Sequence, residues 1–186
     1  MVQDFLIALG SNLGDGQNNP LKTVGSAIFE LAHRKYTIRS VSRFFLTPCF
    51  PAGTGPDYIN ACITVSSQLS AKTVLQHLHD IEAAFGRERV QRWGSRTLDL
   101  DLVAMGDTVM PSNRVHAMWR DLPLEDQKIR APDELILPHP RMHERAFVLV
   151  PLSDIAPNWR HPVLGTTVRD MVDALPQAMR DEVQPI

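Results

Sequence analysis

The chain has 186 residues and a mass of 20.9 kDa, with 44% hydrophobic and 22% charged side chains. That is enough apolar material for one buried core and too little excess charge for a disordered chain. Nineteen basic against 21 acidic residues leave a net charge of −2, which excludes coating nucleic acid by charge alone and makes any basic site local.

The longest apolar runs, residues 5–9 and 147–152, fall far short of the roughly 18 to 20 residues that span a bilayer. No basic segment followed by a long apolar stretch opens the chain, as a secretory leader would. Two cysteines, Cys49 and Cys62, build neither a disulfide framework nor a four-ligand zinc site. The expectations are cytoplasmic residence, structural cysteines and one domain over residues 1–186.

Residues 4–9 predict a buried strand, closed by the turn formers Gly10-Ser11-Asn12. Leu21, Val24, Ile28 and Leu31 step by three and four along one helical stripe, predicting a helix through about residue 34. Residues 36–46 carry β-branched and aromatic side chains and predict a strand entering a loop punctuated by Pro48, Pro51, Gly53, Gly55 and Pro56. Residues 58–65 alternate, with Ile59, Ala61, Ile63 and Val65 on one face and Tyr58, Asn60, Cys62 and Thr64 on the other.

Ser70 is a suitable N-cap for a second helix marked by Val74, Leu78, Ile81 and Phe85 and stopped by Gly86. Residues 97–104 alternate again, Leu98, Leu100 and Leu102 against Thr97, Asp99, Asp101 and Val103. The order strand, helix, strand, strand, helix, strand predicts an α+β, ferredoxin-like sandwich whose mainly antiparallel sheet is covered by helices on one face.

Residues 111–132 show no clean period and read as a loop insertion. Beyond them lie an apolar triplet at 135–137, Pro138-His139-Pro140, the apolar run from Phe147 and a short amphipathic stretch at 168–175. No internal repeat or low-complexity tract occurs.

Asp99 and Asp101, two apart on a strand, project to one side and can share a hard cation, for which magnesium is the natural candidate. Two solvent-facing acids on an edge strand are the alternative. Just upstream, residues 87–96 hold four arginines and one glutamate, a local charge of +3. Guanidinium forks suit phosphate oxygens, and Trp93 among them can stack on a base; a solvated basic loop is the alternative. Phosphoryl transfer needs both a metal to bridge phosphate oxygens and cations to offset charge, and this one segment supplies both.

The glycines near Gly10 lack the following Gly-Lys-Ser/Thr of a P-loop. They read instead as a strand-to-helix turn that lets backbone approach a ligand. His139 and His143 are four apart, but Pro140 disfavours the helix that a zinc pair would need. His139 is then either a donor to phosphate or a structural histidine, and the other histidines read as surface or packing residues.

The segment Arg92-Trp93-Gly94-Ser95-Arg96-Thr97-Leu98-Asp99-Leu100-Asp101 resembles the signature of the 6-hydroxymethyl-7,8-dihydropterin pyrophosphokinase family. The resemblance extends over most of the chain, through Ala8-Leu9-Gly10-Ser11-Asn12-Leu13-Gly14, Thr47-Pro48, Asp57-Tyr58-Ile59-Asn60-Ala61, Ile81-Glu82, Gly86-Arg87 and Leu137-Pro138-His139-Pro140-Arg141.

It implies an αβα sandwich and transfer of the pyrophosphoryl group of ATP to the pterin hydroxymethyl, with release of AMP. It also implies that Asp99 and Asp101 hold two magnesium ions on the triphosphate. Arg87 and Arg96 would act with those acids in the transfer, and Glu82, Arg89, Trp93, His139 and Arg145 would engage the nucleotide. Tyr58 and Phe147 would sandwich the pterin while Asn60 and the backbone near Thr47 meet its polar edge. Core packing is the alternative for the two aromatics.

No side chain stands out as a general base, so positioning and charge neutralisation should supply most of the rate. The loops at 48–56 and 87–93 are the candidates for closure over substrate. Three departures from the family pattern bear on adenine contacts and loop behaviour: Cys49 replaces a second proline, His79 stands where glutamine is frequent, and 111–128 is longer than usual. The expected partners are small-molecule substrates only, with no nucleic acid and no membrane, and the expected state is a monomer. The alternatives are an RNA-binding sheet, which the paired acids argue against, and a pterin-binding relative without turnover.

Overall fold

A computed structural model describes residues 1–13, 19–49, 55–86 and 97–186. Strand β1 (Gln3–Ser11) leads to helix α1 (Pro20–Ala32), which starts at Pro20 with Asn19 as its N-cap, the Asn19 side chain accepting from Lys22 N. Then come β2 (Thr37–Val41), β3 (Phe45–Thr47) and β4 (Tyr58–Ser67), and α2 (Ala71–Ala84) under the expected Ser70 cap, which accepts from Thr73 N. Gly86 follows α2 at φ 77°, a conformation that glycine adopts without steric cost. Strand β5 (Asp99–Met105) completes the set the periodicity predicts.

The strands form one antiparallel sheet in the order β5-β1-β4-β3-β6, with β2 also on β4, where β6 (Gln184–Pro185) is a short C-terminal strand. On one face α1 and α2 bury Val24, Ala27, Leu31, Val74, Leu78 and Ile81 against Phe5, Ile7, Leu9, Ile63, Leu100 and Leu102. The other face is covered too, by α5 (Ala146–Ile155) and α6 (Val168–Ala174), whose Leu149, Leu152, Val168 and Met171 close on Leu6, Cys62 and Val103. The fold is therefore the αβα sandwich implied by the resemblance, not a sheet covered on one side. Helix α5 is apolar nearly all round and has Pro151 inside it, so no 3.6-residue stripe marks it in the sequence.

Three expectations change. The strand expected over 36–46 is two strands, because Ser42 interrupts it: Ser42 N donates to Cys62 O while Ser42 Oγ accepts from Cys62 N and donates to Arg43 O. Gly10 and Ser11 belong to β1 rather than to a turn.

The segment read as a loop contains α3 (Asn113–Arg120) and α4 (Leu124–Ile129). Its base is closed by paired backbone hydrogen bonds between Met110 and Leu137, at 2.8 and 3.1 Å, and Arg130 lies 5.5 Å from the Trp119 ring across its two helices. Both helices are too short to show a clear stripe. A last helix, α7 (Gln177–Asp181), precedes β6. Cys49 and Cys62 are both buried thiols.

Candidate active site

The site lies on the sheet face that carries α5, at the end α5 leaves open. Cross-strand registers set its floor: Asp99 pairs with Gly10 and Gly10 with Asn60, while Asp101 pairs with Ala8 and Ala8 with Cys62. Residues directly opposite share a face, so Asp99, Gly10 and Asn60 form one row and Asp101, Ala8 and Cys62 the next. Val103, on the same side of β5, is buried beneath the second core, whereas Asp99 and Asp101 stay partly exposed.

Gly10 is the gap in the first row. A Cβ there would sit 2.8 Å from Asn60 Oδ1 and 3.7 Å from the Tyr58 ring, a closer approach to oxygen than packed carbon tolerates. The Asn60 amide is held in turn, its Nδ2 donating to Thr47 Oγ1 at 2.6 Å, and both residues are buried. Tyr58 pairs with Thr47 across β3 and β4.

Arg145 stands just before α5, its Nη1 3.7 Å from Asp101 Oδ2 and its guanidinium 5.7 Å from the Phe147 ring. Burial lowers the Arg145 pKa, and Asp101 works against that. Phe147 is 40% exposed on the first turn of α5, far more than a core aromatic. One arginine thus spans from the paired acids to the aromatic.

His139 lies beside them. Its backbone N–H donates to Val103 O at 2.7 Å and its Nδ1 accepts from Arg141 N at 3.1 Å. Burial, then the Arg145 charge, hold its pKa well below the usual histidine value. A neutral ring that accepts through Nδ1 carries its proton on Nε2, so His139 offers an N–H donor to an acceptor such as phosphate.

Glu82, expected among the nucleotide contacts, is 1% exposed and accepts from Leu100 N at 2.8 Å. It fixes β5 between the two aspartates. Two polar residues that sequence reasoning passed over do related work: Ser11 Oγ donates to Thr97 O at 2.5 Å and Asn12 Nδ2 to Pro56 O at 3.1 Å. The tip of β1 therefore ties the chain entering β5 to the chain entering β4. Their signal was visible in Gly10-Ser11-Asn12, where it read as a turn. Arg87, Arg89, Trp93 and Arg96, with the rest of 50–54 and 87–96, lie outside the described residues.

Among the described residues no group of three or more His, Cys, Asp and Glu is placed to hold a metal ion. Two partly exposed carboxylates on one strand face nevertheless suit magnesium on a nucleotide, which takes one or two protein carboxylates and completes its shell with phosphate and water oxygens.

Two open carboxylates on one strand face, a neutral histidine donor and a partly buried arginine on an αβα sandwich are the equipment of a phosphoryl-transferring enzyme. The comparisons narrow the class. The model of the family described as 7,8-dihydro-6-hydroxymethylpterin-pyrophosphokinase matches residues 6–157. Proteins named 2-amino-4-hydroxy-6-hydroxymethyldihydropteridine pyrophosphokinase are similar at 36% identity in Synechocystis sp. and at 34% in Haemophilus influenzae, over 90% and 81% of this chain and 74% and 79% of theirs. The chain belongs to this family.

It is an enzyme of folate biosynthesis that transfers a pyrophosphoryl group from ATP to hydroxymethyldihydropterin, leaving AMP. The fold is shared with the crystal structure of wild-type Plasmodium falciparum HPPK-DHPS, at a TM-score of 0.66 and 12% identity over 93% of this chain. This chain spans only 44% of that one.

Proposed function

We propose that the row from Asn60 across Gly10 to Asp99 is where the two substrates meet, with the pterin at the Asn60 end and the triphosphate at the Asp99 end. The observation that carries this is Gly10: among the residues of that row it alone has no side chain, and a Cβ would intrude on Asn60 Oδ1. Tyr58 and Phe147 take the two faces of the pterin ring, and Thr47 sets the Asn60 amide against its polar edge.

Asp99 and Asp101 are the residues that hold magnesium, two ions in all. Bound there, the metal offsets triphosphate charge and makes the pterin hydroxyl easier to deprotonate. Arg145 and the Nε2–H of His139 bind phosphate oxygens, and Arg87, Arg89, Trp93 and Arg96 complete the nucleotide site. Glu82 acts through β5 rather than on the nucleotide. Arg87 and Arg96 counter the charge that spreads during transfer.

The 186 residues work as one cytoplasmic monomeric domain on small molecules alone, with 111–132 as an insertion. Among the described residues no helix is long and apolar enough to cross a membrane. Incubation with ATP, magnesium and the hydroxymethylpterin should yield AMP and not ADP, with pterin required. A crystal with a nonhydrolysable ATP analogue should place the triphosphate against Asp99 and Asp101; a triphosphate lodged elsewhere overturns the site.

A further inference from the structure

The insertion leaves a buried histidine that the site description does not use. His116, on α3, is 0% exposed, and its Nε2 is 3.0 Å from Pro138 O. A carbonyl only accepts, so Nε2 carries the proton and Nδ1 does not, and Nδ1 is buried without a partner. The ring packs edge-on to His161, centroids 5.6 Å apart, and His161 is edge-on to Trp159, whose Nε1 donates to Gly106 O. Behind His116 the framework is therefore rigid and anchored to the end of β5.

The bond falls at a telling place. Pro138 C=O and His139 N–H belong to one peptide group, which is planar and moves as a unit. Its N–H is held by Val103 O, on the strand of Asp99 and Asp101, and its C=O by His116. The peptide is gripped from both sides, once by the sheet and once by the insertion. Rotation of that peptide would swing the His139 ring off its line to the phosphates.

We propose that His116 is a positioning residue for the nucleotide: from the inserted helix it donates to Pro138 O and so sets the direction of the His139 Nε2–H donor. The proposal rests on the reading that His139 binds ATP. It gives the insertion a function in the reaction rather than at its margin. Without His116 the buried carbonyl has no donor, which favours local rearrangement over the held geometry.

The test compares two variants of the full chain. His116→Phe keeps a ring and removes the donor; it should raise the KM for ATP about tenfold, with kcat and the pterin KM at saturating ATP within about twofold of the parent. His116→Gln keeps a neutral donor and should restore the ATP KM to within about twofold. An unchanged ATP KM in His116→Phe, or equal impairment in both variants, overturns the proposal.

His139→Ala separates the two failures. If it leaves the ATP KM unchanged, the reading of His139 falls; if it weakens ATP while His116→Phe does not, only the role of His116 falls. Should His116→Phe not fold, the imidazole nitrogen spectrum of the parent decides, since an Nδ1–H tautomer at His116 would leave Pro138 O without its donor.

Discussion

Leu98, Leu100 and Leu102 face α1 and α2 and are at most 4% exposed, whereas their neighbours Asp99 and Asp101 face the α5 side and stay open. Both sets come from one alternating segment, yet one face is sealed from end to end while the other is covered only as far as Val103. The lesson lies in where a covering helix begins. Helix α5 starts at Ala146, with Arg145 beside Asp101, so the polar row at that end of the sheet remains open. The sealed face supplies stability and the open one supplies chemistry, and substitutions on the two should separate accordingly.

The largest effect belongs to the open face. Asp99→Asn or Asp101→Asn should cut the rate of AMP formation on the order of a thousandfold, with the melting temperature nearly unchanged. Full activity in either variant would remove the metal assignment. On the sealed face Leu78→Ala should do the reverse, because Leu78 is 0% exposed in the main core. A loss of about 3 kcal/mol of stability, read by denaturant titration, should leave kcat of the folded enzyme intact.

Acid should act on the histidine cluster beside the insertion. Burial, then His116 and His143, lower the His161 pKa from 6.5 to about 4, and burial lowers those of His116 and His143 in the same direction. The folded state thus resists protonation that the unfolded chain accepts. The stability these groups provide is complete above about pH 6.5 and is lost as pH falls towards about 4. His161 alone accounts for about 3 kcal/mol of that loss, and His161→Phe should flatten the pH dependence of unfolding.

The smallest expected effect is at Gly10. Gly10→Ala should raise the pterin KM about tenfold and leave the stability of the sealed face intact, since the new methyl meets Asn60 Oδ1 and not the α1–α2 core. A pterin KM unchanged in that variant would break the assignment of the row.

Much of this was legible in the residues. An apolar run located β1, alternation located β4 and β5 with their faces, the Ser70 cap opened α2 where a side-chain acceptor was available, and the Asp-Leu-Asp spacing placed two acids on one side. Ser42 broke a strand through its own hydrogen bonds, and α3 and α4 were too short to show a period. Nothing local reveals that the Glu82 carboxylate accepts from Leu100 N across 18 residues of chain.

The sequence by itself determined β1, β4 and β5, the acid pair, the arginine-rich run and the family they resemble, because periodicity and motif spacing are local properties of the chain. Only tertiary structure decided that Gly10 stands between Asn60 and Asp99, that α5 stops short of the aspartates, and that His116 reaches the peptide before His139. Those facts follow from register and from contacts between distant segments, which packing fixes and neighbouring residues do not encode.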